Sequence, residues 1–129
     1  MKILGTGLDI VKNSRIKLLF AKKRTSFKNK IFTKNEINYC DKRPNSINYY
    51  SKRYAAKEAF VKALGTGFRK NIFFKDIEIL NNDYGKPYIV INNKTKKKIK
   101  RIFKVNTFSI FLSMSDEKNY SIANVIISK

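Results

Sequence analysis

Arg53, Lys57, Glu58 and Lys62 are the polar residues of an otherwise apolar and alanine-rich run that ends at Leu64. Glu58 and Lys62 lie four apart, so a helix through this run sets them on one face, with Lys57 beside them. One reading is an exposed ion pair worth about 0.3–0.5 kcal/mol. A second brings in Asp9, which follows Gly5 and Gly7: a carboxylate at the end of a glycine-containing strand could meet Glu58 from the helix and make a site for a hard cation. Magnesium takes few protein carboxylates and completes its shell with water and phosphate oxygens. A diphosphate substrate would complete such a site, with Lys and Arg neutralising the remaining phosphate charge. Spacing alone leaves both readings open.

Composition narrows the chemistry. The 129 residues contain no histidine and one cysteine, Cys40. Imidazole bases, a Cys/His zinc site and an intrachain disulfide are therefore excluded. Cys40 itself is expected to be a packed thiol. The net charge of +20 points to a negative partner, whether nucleic acid, anionic lipid or an acidic protein. Lysine supplies 23 of the 29 basic residues, alongside abundant Asn and Ile, as a coding sequence rich in A and T also would. Hydrophobic residues at 43% and aromatics at 13% are enough for a folded core, and the length suits one domain, 1–129. The first residues carry no charged leader before a long apolar run, and no stretch approaches the length of a membrane span. The expectation is a cytoplasmic protein.

The elements that must position these residues are legible from periodicity. Ile3 to Ile10 reads as a strand with close backbone approach around its glycines. A helix follows, with Ile16, Leu19 and Phe20 on its apolar stripe and Arg15, Lys17, Lys22, Lys23 and Arg24 on the other faces. Thr33 and Glu36 have capping-box spacing, predicting a short helix to Tyr39 or Cys40. Pro44-Asn45-Ser46 punctuates the chain, and a long helix runs from about Ile47 to Leu64, stopped at Gly65-Thr66-Gly67. Its buried face is Ala56, Ala59, Phe60, Ala63 and Leu64, and three alanines there require a very close neighbour. Asp76 to Leu80 and Pro87 to Ile91 form a hairpin around Asn81 to Gly85. Lys94 to Phe103 makes a lysine-rich surface helix on Ile99, Ile102 and Phe103, and Phe108 to Ser115 and Tyr120 to Ile127 are two final strands. The fold class is α+β, a mostly antiparallel sheet on a long central helix.

Gly7-Leu8-Asp9-Ile10 with Arg15-Ile16, Phe32-Thr33 with Glu36-Ile37, and the block from Arg53-Tyr54-Ala55-Ala56-Lys57-Glu58 to Gly65-Thr66-Gly67 together resemble the holo-acyl-carrier-protein synthases. Asp76-Ile77-Glu78-Ile79, Gly85-Lys86-Pro87-Tyr88 and Leu112-Ser113-Met114-Ser115-Asp116 with Tyr120 and Ala123 extend the resemblance over nearly the whole chain. It implies the 4'-phosphopantetheinyl transferase fold and transfer of phosphopantetheine from coenzyme A to a serine of an acidic acyl carrier protein. By the same resemblance Asp9 and Glu58 match magnesium ligands, and Lys62 the lysine near the transferring phosphate. Arg53 and Gly85-Lys86-Pro87 match regions holding the nucleotide end of coenzyme A, and Arg15 a basic residue facing the carrier. Compact members of the family are similar in forming homotrimers with active sites across subunit boundaries. Many carry a histidine where this chain reads Ser113-Met114-Ser115-Asp116, so any contact of that imidazole is lost. The base that takes the serine proton is undecided between a metal-bound water and a carboxylate, Glu58 being the nearest named candidate.

Two other readings of the sequence compete with this one. A nucleic-acid-binding module would use the charge and the aromatics Tyr49, Tyr50 and Phe68, but no recognised nucleic-acid motif is present, and those aromatics fit a core equally well. A non-catalytic member of the same fold would have lost Asp9 or Glu58, and both are present with Lys62. Neither a nucleic acid nor a membrane is expected as a partner.

Overall fold

The structure, a computed structural model, describes residues 1–129, the side chain of Arg24 apart. That side chain, assigned above to the basic faces of the first helix, lies outside what is described. In chain order the elements are β1 (Ile3–Lys12), α1 (Asn13–Ile31), α2 (Lys34–Asp41), α3 (Ser46–Leu64), a 3-10 turn (Phe74–Asp76), β2 (Ile77–Asn81), β3 (Pro87–Ile91), α4 (Asn93–Phe103), β4 (Ser109–Asp116) and β5 (Tyr120–Ser128). Each expected element is present, with ends shifted by one or two residues.

The expected antiparallel sheet is divided in two: a three-stranded sheet ordered β1-β5-β4, and the hairpin β2-β3, whose second strand abuts β4. Helix α3 lies across β1 and β5. The alanines and glycines meet there. A Cβ at Gly7 would fall 1.8 Å from the carbonyl oxygen of Ala59, and one at Gly5 would fall 2.0 Å from that of Ala63. No side chain fits in that space, so bare strand backbone seats against bare helix backbone. Ala55, Ala56, Ala59 and Ala63 are all buried, as are Val11, Ala123, Val125 and Ile127 of the sheet.

Helix α2 begins with the full capping box, the Glu36 amide donating to the Thr33 hydroxyl at 3.3 Å and the Thr33 amide to the Glu36 carboxylate at 2.9 Å. Helix α3 ends at Gly65, whose φ of 76° is the left-handed cap that lets the chain turn away. In α1, Ile16 and Phe20 are buried one turn apart, and Phe20 meets the rings of Phe27, Phe32 and Tyr50 edge-on.

The side of the three-stranded sheet away from α3 is left largely exposed by the described residues. Thr6, Leu8 and Ile10 of β1 stand in register with Ile126, Asn124 and Ile122 of β5, and these with Phe111, Ser113 and Ser115 of β4. Leu8, Ile10 and Phe111 are each more than half exposed.

Candidate active site

The close seating of β1 on α3 brings Asp9 to the helix. Strand alternation places Asp9 on the same face as Gly7 and Val11, so its carboxylate is directed at α3. There the Lys62 ammonium donates to the Asp9 carboxylate at 2.9 Å and to the Leu8 carbonyl at 3.0 Å. Glu58, one helical turn before Lys62, reaches the same place. Burial first, and then the charge of Asp9, push its carboxyl above the usual range, while a hydrogen bond from Tyr54 and the charges of Lys62 and Arg15 act in the opposite sense. Arg15, from the first turn of α1, lies with its guanidinium 6.0 Å from the centre of the Tyr54 ring. Thus Asp9, Glu58, Lys62 and Arg15 are brought together, and Lys62 pairs with Asp9 in place of the Glu58 partner that helical spacing offered.

The two carboxylates supply oxygen donors of the kind a hard cation takes, and the Lys62 ammonium beside them is a charge and not a ligand. Among the described residues no three His, Cys, Asp or Glu side chains gather to enclose a metal alone. Carboxylate oxygens suit magnesium, and a pair of them leaves positions for water and phosphate. The residues present fit that ion.

Arg53 is five residues before Glu58 and therefore roughly 140° away around the helix. It lines a separate cavity of about 260 Å³ with Lys52, Tyr39, Tyr49, Asn81, Gly85, Pro87 and Met114. Its guanidinium donates to the Asn81 side chain and the Tyr49 carbonyl and lies 4.4 Å from the centre of the Tyr39 ring. The Asn81 amide in turn donates to the Gly85 carbonyl at 2.9 Å, tying the hairpin turn to the cavity. Lys86 belongs to that turn through its backbone, its amide donating to the Asn82 side chain, and it does not line the cavity. The sequence reading found Arg53, Gly85 and Pro87 but missed Tyr39, Tyr49, Lys52, Asn81 and Met114. Tyr49 sits four residues before Arg53, so helical spacing carried a signal for it; Lys52, one residue before and about 100° round the helix, had none, and neither had Tyr39, Asn81 and Met114, which come from other elements.

Lys57 is not an exposed neighbour of Glu58. Its ammonium is fully buried, 2.7 Å from the Glu36 carboxylate and within hydrogen-bond reach of the carbonyls of Ile31, at 2.7 Å, and Phe74, at 3.1 Å. Glu36 also accepts from the Ile79 amide at 3.1 Å. One ion pair therefore ties the end of α1, the start of α2, the middle of α3 and strand β2, and it orients the helix face that carries Glu58.

The chain is similar to known proteins over nearly its whole length. The chain is 51% identical over 129 residues to the holo-(acyl-carrier-protein) synthase of Pelagibacter ubique, covering 100% of this chain and 99% of that one. It is 44% identical over 128 residues to the enzyme of the same name from Ehrlichia chaffeensis, covering 97% and 96%. Among solved structures, it superposes on the synthase of Neisseria meningitidis with a TM-score of 0.87 at 37% identity, covering 98% and 99% of the two chains. It superposes on the Bacillus anthracis synthase in complex with CoA (3',5'-ADP) with a TM-score of 0.81 at 31% identity, covering 100% and 99%. A family model matches over residues 5–125, a span that holds most of β1 with Asp9, the whole of α3 and most of β5, and by that match the chain belongs to the 4'-phosphopantetheinyl transferase superfamily.

Proposed function

We propose that this chain transfers the 4'-phosphopantetheine group from coenzyme A to a serine of an apo acyl carrier protein, giving the holo carrier and adenosine 3',5'-bisphosphate in support of fatty acid biosynthesis. The observation that carries the reading is the meeting of Asp9, Glu58 and Lys62 where β1 seats on α3, in a chain of this superfamily. Residues 1–129 then make one transferase domain.

Asp9 and Glu58 would hold magnesium, with water and a diphosphate oxygen completing its shell. When bound, the ion draws charge from the phosphoryl oxygens. Lys62, half-exposed beside Asp9, offers a second positive charge to the same oxygens as charge develops there. The carrier's serine oxygen bonds to the β-phosphorus while the bridging bond to the α-phosphate breaks, and the electron pair leaves with adenosine 3',5'-bisphosphate. The serine proton passes to a carboxylate or to water in the site, and Glu58 is the nearest named carboxylate.

Arg53 with Gly85, Lys86 and Pro87 would receive the nucleotide end. Because Arg53 and Glu58 leave α3 on different sides, one coenzyme A molecule is best served by the cavity of one protomer and the carboxylates of the next. The uncovered apolar face of β1, β5 and β4 supports such an assembly, a homotrimer. Arg15, at the carboxylates, would meet the acidic carrier as it presents its serine. The charge of +20 supports steering of that carrier. No helix among the described residues is long and apolar enough to cross a membrane, and the reaction is assigned to the cytoplasm.

The test is the mass of an apo acyl carrier protein incubated with the chain, coenzyme A and magnesium. The expected result is a gain of one phosphopantetheine, lost without magnesium and lost in Asp9→Ala and Glu58→Ala. The carrier KM should rise with ionic strength. No gain with several carriers would defeat the reading.

A further inference from the structure

The two lysines nearest Glu58 in the chain are engaged elsewhere. Lys62, one turn on, donates to Asp9, and Lys57, beside it, is buried against Glu36. The Tyr54 hydroxyl, one turn before Glu58 on α3, donates a hydrogen bond to its carboxylate. A partly buried tyrosine hydroxyl takes a partner, and an ionised carboxylate has lone pairs enough on two oxygens to accept from it and still face a cation.

The ring that carries this hydroxyl is held on several sides. It stacks on Phe74 with centres 5.7 Å apart and 20° between the planes, and Phe74 stacks on Phe68 at 3.8 Å and 27°. The Phe27 ring packs at 6.4 Å, and the Arg15 guanidinium lies 6.0 Å from the ring centre. Phe74 is itself anchored through its backbone, where its carbonyl accepts from the buried Lys57 ammonium at 3.1 Å. Contacts therefore run without a gap from the ion pair in the core, through Phe74 and the Tyr54 ring, to a hydroxyl on Glu58. A phenylalanine would serve the stack alone. What the hydroxyl adds is a fixed direction for a glutamate that otherwise samples several rotamers.

We infer that Tyr54 is a positioning residue for the divalent cation: its hydroxyl holds one oxygen of Glu58 and leaves the other to join Asp9, so that the ion binds without first ordering the glutamate. The inference rests on the reading of Asp9 and Glu58 as ligands of magnesium. Loss of a hydrogen bond that orients a metal ligand weakens the metal by about 10–100-fold, and a single hydroxyl donor stands at the lower end of that range. A tyrosine that only packs would give its ring to the stack and nothing to the ion.

The experiment titrates magnesium by calorimetry into the chain in the presence of coenzyme A, with the same titration into coenzyme A alone as its blank, for the wild type, Tyr54→Phe and Tyr54→Leu. Alongside, it follows the urea unfolding of each and the KM for coenzyme A and for the carrier at saturating magnesium. Tyr54→Phe keeps the ring and its stacks, so it should unfold with the wild type while binding magnesium about tenfold more weakly. Tyr54→Leu should weaken magnesium at least as far and lose stability as well. Equal magnesium affinity in the wild type and Tyr54→Phe overturns the proposal, whatever Tyr54→Leu does. So does a loss confined to the carrier KM, which would make the hydroxyl a contact to that protein. A wild type that neither binds magnesium nor modifies a carrier defeats the ligand reading together with the inference, whereas a wild type that does both beside an unaltered Tyr54→Phe defeats the inference alone.

Discussion

Outside the candidate site and the cavity around Arg53, Lys57 is a charged residue fully buried in the core. Burial favours its neutral form, and the Glu36 carboxylate opposes that by charge and hydrogen bond. Both ends of the pair are fully buried, with the lysine's remaining donors on two carbonyls and the glutamate accepting two amides. Removing one partner leaves a charge in the core without compensation. Lys57→Met should therefore cost about 3–5 kcal/mol in denaturant unfolding, whereas Glu58→Ala, at the half-buried site, should unfold near the wild type while losing transfer. An equal loss of stability in both variants would contradict the division of labour between these adjacent residues.

At the scale of elements, the site exists because two backbones touch. Gly7 has no Cβ to hold β1 away from Ala59, and Asp9 follows it by one strand repeat. Gly7→Ala would place a methyl group 1.8 Å from a carbonyl oxygen, a position only a shift of the strand can relieve. Overpacking of this kind costs about 1–3 kcal/mol. The shift also separates Asp9 from Glu58 and Lys62, so transfer should fall well beyond what the unfolded fraction explains. Activity that tracks only the folded fraction would show that the carboxylates do not need this seating.

At the scale of the molecule, the described residues leave one sheet face largely exposed. Leu8, Ile10, Phe111, Ile122 and Ile126 form an apolar patch around Asn124, Ser113 and Ser115, on a surface otherwise rich in lysine. A lone chain has no use for this patch, and a cyclic assembly would bury it. Ile10→Lys should give a monomer by light scattering with weak transfer, because each protomer would then hold only one half of the proposed site. A monomeric wild type with full activity would remove the trimer and the shared site together.

The amino-acid sequence by itself determined the order and type of nearly every element, because each rests on local physics. The Thr33–Glu36 box starts α2, Gly65 stops α3, and the alternation after Asp76 makes a hairpin. The motif residues Asp9, Glu58, Lys62, Arg53 and the Gly85 turn were legible too, and Gly7 with Ala59 and Ala63 announced a close contact. Tertiary structure decided what those residues touch. Helical spacing offered Lys62 to Glu58, yet Asp9 takes it, since β1 seats on that face at hydrogen-bond distance. Spacing set Lys57 beside Glu58 and said nothing of what covers Arg53, yet both Arg53 and Lys57 are buried, because α2 and β2 bring Glu36 and Asn81 over them from residues far away in sequence. Lys52 and Asp116 are 64 residues apart and meet only because β4 closes the far edge of the sheet beside α3. Local pattern reads one element's faces; which face is covered, and by which charge, depends on the elements that fold over it.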